Sequence, residues 1–229
     1  MALICNICGS TEFSDFGVKP RANARCQGCG SLERHRALRH VLGIEGRLSD
    51  RKGVDRCLQL APEKVTHDYL AAAYGAGYLP ADLSPAMYPY AKCLKLRLPE
   101  GFEIFPEGYF QLIVHNHVLE HVPGSYRAHI DEFHRLLQVG GAMAFTIPET
   151  GISKGVRETV EGGERLPSDE DRLREHGQGD HVRTFGLDLL DHLAARFSVS
   201  KPYCFDDDAM LREIRSMHNS RGRVFWCVK

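Results

Sequence analysis

Short apolar runs alternate with amphipathic segments along most of this chain of 229 residues. The apolar runs predict strands at 56–60, 78–81, 92–96, 111–116, 142–147, 198–203 and 223–228. Apolar positions at helical spacing predict helices at 62–74, 125–138 and 187–196. Alternating strands and helices predict an α/β fold whose mostly parallel sheet is covered by helices on both faces.

The first thirty residues follow a different pattern, in which cysteines come in pairs. Cys5 and Cys8 form one CxxC turn, Cys26 and Cys29 form a second, and 17 residues separate the two pairs. A glycine follows each pair and can take the positive φ that turns backbone amides toward the sulfurs. The spacing predicts a small zinc ribbon with a structural, closed Zn²⁺ site. A redox CxxC, the alternative, is typical of a single pair at a helix start after a strand.

An amphipathic, basic helix is predicted directly after the ribbon, over 31–42. Ser31 is its predicted N-cap, and leucine and valine side chains form an apolar stripe with the arginines largely opposite. The basic face has two interpretations. It contacts RNA, a phosphorylated glycan or a protein, or it packs the ribbon onto the rest of the chain.

The stretch from Phe110 to Pro148 carries the most information about function. It begins FQLIVHNHVLEHVPG, continues through a helical segment, and leaves a Gly-Gly corner as a second apolar strand. Polar residues therefore lie at the carboxyl ends of predicted strands, which is the edge at which α/β sheets bind ligands.

This stretch, with ADLSP at 81–85 and LLQVGG at 136–141, resembles a class I S-adenosylmethionine-dependent methyltransferase of the type 11-like branch that carries the HVLEHVP string. The resemblance spans most of 54–229. It implies a Rossmann-like methyltransferase sheet, S-adenosylmethionine as the cofactor, and methyl transfer as the activity. Two closing strands separated by 206–218 suit the antiparallel end of such a sheet.

The resemblance also implies residues that bind the cofactor. Asp82, which closes the second strand of the domain, would bind the ribose hydroxyls, and a carboxylate has the acceptors for both. Asn116 and His117, in the turn after the fourth strand, would lie beside the methionine portion and the donor methyl group. His117 is therefore also a candidate catalytic residue.

The sequence departs from the family pattern at two other places where cofactor contacts are expected. The loop after the first strand reads LQLAPE and is not glycine-rich, so cofactor contact is expected from Ala61, Pro62 and Glu63 at the start of the next helix. The segment LKLRLP at 94–99 lacks the acidic residue that often meets the adenine.

Residues 149–183 form a segment that is too long for a simple connection between a strand and a helix. Because the segment leaves the carboxyl edge of the sheet, we expect it over the methyl-acceptor site. His181 is the predicted catalytic base, with Asp180 or Glu175 to orient it and Arg183 as an anion anchor. A structural cap on this segment is an alternative with equal support.

The histidines of the HNHVLEH string partly fit a metal-hydrolase pattern. Their HxHxxEH spacing is one residue longer than the HxHxDH motif of metallo-β-lactamase-like enzymes, and the aspartate is missing. In the methyltransferase interpretation, Val118 and Val122 pack inward, whereas Glu120 and His121 cap or pair near the start of the following helix.

Composition and charge narrow the choice of partners. No apolar run approaches the roughly 20 residues of a membrane span, and the N-terminus lacks the pattern of a signal peptide. We therefore expect a cytoplasmic protein without membrane contact. Residues 1–52 carry a net charge of +4 and the remainder carries −5, so RNA is a candidate partner of the basic N-terminal module; an ordinary mixed-charge surface is the alternative.

The sequence therefore predicts a zinc ribbon with its connecting helix at 1–42 and a methyltransferase-like domain at 54–229, with an insertion at 149–183 over the acceptor site. The predicted function is S-adenosylmethionine-dependent methyl transfer to a small molecule, a saccharide or RNA. The alternative is a catalytically inactive methyltransferase-like protein whose ribbon binds nucleic acid or a protein.

Overall fold

A computed structural model describes residues 3–17, 20–45, 55–162, 168–204 and 223–229. Nine of the strands belong to the main body, and two precede them in a small hairpin. The strands are β1 (Phe13–Phe16), β2 (Arg21–Cys26), β3 (Cys57–Leu60), β4 (Tyr78–Asp82), β5 (Leu94–Lys95), β6 (Phe110–Asn116), β7 (Leu137–Thr146), β8 (Val160–Glu161), β9 (Arg183–Thr184), β10 (Val199–Cys204) and β11 (Arg223–Val228).

A seven-stranded sheet with the order β10-β11-β7-β6-β3-β4-β5 forms the centre of the molecule. The strands from β3 to β7 pair in parallel, whereas β11 pairs antiparallel with β7, and β10 pairs antiparallel with β11. This is the predicted mixed sheet with an antiparallel end. The predicted connection at 206–218 lies outside the described residues, as do parts of the 43–53 linker and residues 163–167 of the predicted insertion.

Helices cover both faces of the sheet. They are α1 (Glu33–Glu45), α2 (Lys64–Tyr74), α3 (Tyr126–Leu136), α4 (Thr150–Ser153), α5 (Asp169–His176) and α6 (Asp188–Arg196). On one face, Phe133 of α3 and Leu193 of α6 pack in a buried cluster with Phe145 of β7. On the other face, Leu38 of α1 and Leu70 of α2 share a second buried cluster with the sheet. In the part of the chain that is described, no helix combines the length and the apolarity needed to cross a bilayer.

Helix α1 packs the ribbon onto the sheet. Ala37, Leu38, Val41 and Leu42 are buried against the sheet, as the second interpretation of this helix predicted. Arg36 does not lie on an exposed basic face: its side chain is fully buried, and it donates to the carbonyl oxygens of Ala24 at 3.1 Å and Ser31 at 2.8 Å. A buried guanidinium needs such acceptors, and these belong to the ribbon.

The expected N-cap role of Ser31 is wrong. Helix α1 begins two residues later, at Glu33, and the Leu32 amide donates to Nδ1 of His35 at 3.1 Å. The Ser31 hydroxyl lies instead 3.2 Å from the sulfur of Cys29. The Ser31 side chain therefore contacts the cysteine cluster and does not cap the helix.

A partly buried carboxylate fixes α1 to the loop after β3. Oε1 of Glu63 accepts from Nη2 of Arg34 at 2.5 Å and lies 2.7 Å from Nε2 of His35, and both partners are on α1. Its second oxygen accepts from Nδ2 of Asn116 at 3.0 Å. Burial alone would raise the pKa of Glu63, but the hydrogen bonds and charges of His35 and Arg34 lower that pKa to about 2.

We expect the substitution Glu63→Gln to lower the free energy of unfolding at pH 7 by up to about 3 kcal/mol. The folded-state pKa lies below the unfolded value near 4.5, so the stabilisation is present above pH 4.5 and is lost as the pH falls toward 2. Urea unfolding of both proteins between pH 7 and pH 4 measures the difference, which should shrink below about pH 4.5.

Asp68→Asn is the matched control for this prediction. Asp68 pairs with Lys64 on the exposed surface of α2, where an ion pair contributes at most about 1 kcal/mol. Equal effects of the two substitutions, or a difference for Glu63→Gln that does not change with pH, would contradict the assigned role of Glu63.

Candidate functional site

A cavity of about 370 Å³ lies at the carboxyl ends of β3, β4 and β6. Ligands bind at this edge in open α/β sheets, since the strand order reverses between neighbouring strands there. Three of the residues predicted to hold the cofactor or to take part in catalysis line it: Ala61, Asp82 and His117. The structure therefore brings the ends of three strands together around one space.

The loop after β3 makes its turn without a glycine. Ala61 has a φ of +48°, and its amide donates to the carbonyl oxygen of Ala81 at 3.1 Å. A left-handed backbone is costly for a residue with a Cβ, so the surrounding contacts hold it in place. The next two residues of the loop are not part of the cavity lining. Pro62 is buried within the protein, and the carboxylate of Glu63 faces α1.

Asp82 ends β4 and offers a carboxylate to the cavity. Its Oδ1 accepts from the amide of Ser84 at 2.7 Å, which fixes the orientation of the carboxylate. Tyr88 lies close by, and burial together with the charge of Asp82 raises the pKa of its hydroxyl. Beyond Asp82 the wall is largely apolar: it is formed by Leu83, Met87, Leu96 and Leu98.

Asn116 and His117 end β6 and take different directions. The amide of Asn116 is used within the protein, because Nδ2 donates to Glu63 at 3.0 Å and Oδ1 accepts from the hydroxyl of Thr146 at 2.9 Å. Asn116 is not among the residues that line the cavity, whereas His117 is. His117 has a φ of +51°, and its Nδ1 lies 2.9 Å from Oε1 of Glu120.

His115 belongs to the core and not to the site. Its ring is fully buried, stacks on Phe145 at 4.9 Å and lies 5.4 Å from Phe133. Burial lowers its pKa to about 3, so the ring is neutral at pH 7. The pattern HxHxxEH therefore does not converge on one point, and the metal-hydrolase interpretation has no support in this arrangement.

A second cluster lies beside the cavity and combines Glu120, His121 and His181. One potential ligand atom of each lies within 4.8 Å of those of the other two. Glu120 is fully buried, and the rings of His121 and His181 are 4.8 Å apart in an edge-to-face arrangement. This convergence was not predicted from the sequence, because His181 lies about sixty residues after the Glu-His pair of the HVLEHVP string.

The predicted catalytic base His181 is buried and does not itself line the cavity. Burial lowers its pKa, with the neighbouring carboxylate of Glu120 opposing that shift. Asp180 contacts His121, with Oδ2 3.3 Å and the carbonyl oxygen 3.2 Å from Nδ1 of that ring. Glu175 is exposed on α5.

The prediction of Arg183 as an anion anchor is wrong. Its guanidinium is fully buried and donates to the carboxylate of Glu161 at 2.9 Å, to the carbonyl oxygen of Gly124 at 2.6 Å, and to that of Leu119. The amide of Val182 also donates to the carbonyl oxygen of Glu120 at 2.7 Å. Arg183 therefore clamps the end of the 149–183 segment onto the turn after β6.

The four paired cysteines converge in the N-terminal hairpin. The sulfurs of Cys5 and Cys29 are 3.8 Å apart, those of Cys8 and Cys26 are 3.6 Å apart, and all four lie within 4.8 Å of one another. Sulfurs bonded to one tetrahedral Zn²⁺ at about 2.3 Å lie about 3.8 Å apart, so the geometry fits this ion.

The two knuckles repeat one backbone pattern. The amide of Gly9 donates to the carbonyl oxygen of Cys5 at 2.8 Å, and the amide of Gly30 donates to that of Cys26 at 2.9 Å. Both glycines have a positive φ, +75° and +72°, which confirms the predicted turn. The amide of Cys5 also donates to the carbonyl oxygen of Ser10, and that of Cys26 to the carbonyl oxygen of Ser31, both at 2.9 Å.

Comparisons with known proteins agree with this architecture. A family described as "Methyltransferase domain" matches residues 63–145, which run from the start of α2 to β7. An S-adenosylmethionine-dependent methyltransferase from Archaeoglobus fulgidus superposes with a TM-score of 0.55, at 12% identity over 85% of this chain and 94% of its own. One from Mesorhizobium loti has a TM-score of 0.50, at 15% identity over 87% of this chain and 99% of its own.

A search of curated proteins finds no match. The structural matches share too few residues to carry over an activity, but they agree with the sheet order, the helical layers and the family match at 63–145. This chain has the Rossmann-like fold of class I S-adenosylmethionine-dependent methyltransferases.

Proposed function

We propose that this protein transfers a methyl group from S-adenosylmethionine to an acceptor held in the cavity at the carboxyl edge of the sheet. The observation that carries the proposal is that Asp82 and His117, at the ends of β4 and β6, line the same cavity. Its volume of about 370 Å³ lies within the roughly 300–1,000 Å³ of small-molecule sites.

The residues around the cavity fit the cofactor. Asp82 would accept hydrogen bonds from the ribose hydroxyls, and the strained turn at Ala61 would bring backbone close to the cofactor. Leu96 and Leu98 offer an apolar surface for the adenine in place of an acidic partner. S-adenosylmethionine, when bound, supplies a methyl group on a positively charged sulfur.

The residues of the chain supply position and a proton acceptor. His117 lines the cavity, and its Nδ1 lies 2.9 Å from the buried carboxylate of Glu120. Such a carboxylate orients the ring and would stabilise it once it holds a proton. His117 is therefore our preferred base, since His181 is buried and does not line the cavity.

A small molecule is our preferred acceptor. Three arginines of the basic helix α1 bind groups within the protein. Arg34 pairs with Glu63, Arg36 is buried against the ribbon, and the guanidinium of Arg39 lies 3.9 Å from the ring centre of Tyr69. These cations are occupied within the protein, which weakens the case for a ribbon that binds RNA by its phosphates. A saccharide or RNA acceptor, and the cytoplasmic location, stay predictions from the sequence.

The four cysteines are proposed to hold a structural Zn²⁺. Their sulfurs have the separations of a tetrahedral site, and Arg36 and Ser31 bind the knuckles to α1. A closed site with four protein ligands leaves no position for a substrate, so the metal would stabilise the ribbon and the start of α1.

We expect the substitution Asp82→Ala to weaken the binding of S-adenosylhomocysteine by at least about tenfold, since two hydrogen bonds to one charged acceptor are lost. Isothermal titration calorimetry with the full-length protein measures the affinity. Asp191→Ala, on the exposed side of α6, is the matched control and should bind like the wild type. Undetectable binding of both S-adenosylmethionine and S-adenosylhomocysteine to the wild type would favour the inactive alternative.

We expect the purified protein to hold one Zn²⁺ in the ribbon, and Cys26→Ser to lose it together with several degrees of thermal stability. Mass spectrometry of the metal content and thermal unfolding measure these two quantities. Cys93→Ser changes a cysteine outside both pairs and should keep the zinc. Retention of zinc by Cys26→Ser would contradict a four-cysteine site.

A further inference from the structure

Glu120, His121 and His181 form a group of potential metal ligands at the edge of the cavity, of which the proposed function uses only Oε1 of Glu120. The carboxylate of Glu120 is fully buried, and among the described residues its Oε2 has no hydrogen-bond partner. A buried carboxylate oxygen without a partner has lost its hydration, which costs free energy. A cation bound beside it would offset that cost.

The geometry points to a divalent transition-metal site formed by Glu120, His121 and His181 at the edge of the cavity, whose open coordination positions take a hydroxyl oxygen of the methyl acceptor. The metal site stands on its own observations. The identity of its ligand rests on the proposed methyltransferase function.

The separations of the three side chains are compatible with one shared ion. Two ligands bonded to one metal at about 2.1 Å lie about 3.0–3.5 Å apart. The potential ligand atoms of the three side chains lie within 4.8 Å of one another, and rotations of these side chains would bring them to bonding distance. Two imidazoles and one carboxylate suit manganese, iron, cobalt or zinc better than magnesium, which prefers oxygen ligands only.

Neighbouring groups orient these ligands as outer residues do in metal sites. Nδ1 of His117 lies 2.9 Å from Oε1 of Glu120, which leaves Oε2 for the metal. Nδ1 of His121 donates to the carbonyl oxygen of Asp180 at 3.2 Å, so the lone pair of that ring is on Nε2.

The two chain segments that carry the ligands are clamped to each other. Glu120 and His121 lie in the turn after β6, and His181 lies about sixty residues later at the end of the 149–183 segment. The amide of Val182 donates to the carbonyl oxygen of Glu120 at 2.7 Å, and buried Arg183 donates to the carbonyl oxygens of Leu119 and Gly124. These bonds preorganise the three side chains.

The position beside the cavity indicates what the open coordination positions bind. His121 and Asp180 line the cavity that we assign to cofactor and acceptor. A metal with three protein ligands keeps positions for water or substrate, and it lowers the pKa of a bound hydroxyl. A hydroxyl-bearing acceptor fits both properties.

The test uses Mn²⁺, which is paramagnetic and disfavours a site of four thiolates. Full-length protein with its ribbon loaded with zinc is titrated with Mn²⁺, and free Mn²⁺ is followed by electron paramagnetic resonance. We expect one bound Mn²⁺ per chain, and Glu120→Gln and His181→Ala should each weaken binding by at least about tenfold.

His192→Gln is the matched control. It also removes an imidazole beside a carboxylate, since His192 pairs with Asp131 at 3.1 Å between α6 and α3, and it should bind Mn²⁺ like the wild type. Absence of binding to the wild type, or equal binding to Glu120→Gln and the wild type, would overturn the site. Thermal unfolding of each variant shows that its fold is intact, and binding of S-adenosylhomocysteine to the wild type tests the cofactor pocket separately.

Catechol, with two adjacent hydroxyls, probes the open positions. We expect catechol to change the spectrum of Mn²⁺ bound to the wild-type protein. This change should differ from the change that catechol causes in free Mn²⁺ at the same concentration. A spectrum of bound Mn²⁺ that catechol does not alter would overturn the assignment of a hydroxyl ligand. If S-adenosylhomocysteine does not bind while Mn²⁺ does, the proposed function fails and the metal site stands.

Discussion

The partly buried carboxylate of Glu63 joins the three parts of this molecule. It accepts hydrogen bonds from Arg34 on the helix that follows the ribbon and from Asn116 at the end of a central strand, and it pairs with His35 of the same helix. A charge in this position is tolerated only because cationic and amide donors surround it. The ribbon, the loop after the first parallel strand and the turn before His117 are thereby held in one arrangement, and the shape of the cavity follows from it.

Much of the fold could be predicted because the sheet is buried on both faces. Strands such as Phe110–Asn116 read as continuous apolar runs, and parallel strands need the helices that alternate with them. The edge strand Leu94–Lys95 was predicted too long, since only two of its residues pair with a neighbour. Arg36 and Arg183 were predicted to be exposed or to bind anions, because local patterns give no sign of the distant carbonyl groups that bury them.

The candidate site was predictable in part. Asp82 and His117 follow apolar strands, so their position at the carboxyl edge follows from the topology alone. The sequence could not indicate that Glu63 faces away from the cavity, since its partners lie about thirty and fifty residues away. It also could not separate His115 from His117, although they are two residues apart: one continues the strand into the core, and the other turns away with a positive φ.

The clamp formed by Arg183 has a consequence for how molecules reach the cavity. Its hydrogen bonds to the carbonyl oxygens of Leu119 and Gly124 are charge-assisted, so opening the segment there would have to break them. Met87 also lines the cavity and is 70% exposed, so we expect molecules to enter the cavity on its side. Entry on that side would leave the clamped segment in place while a ligand binds.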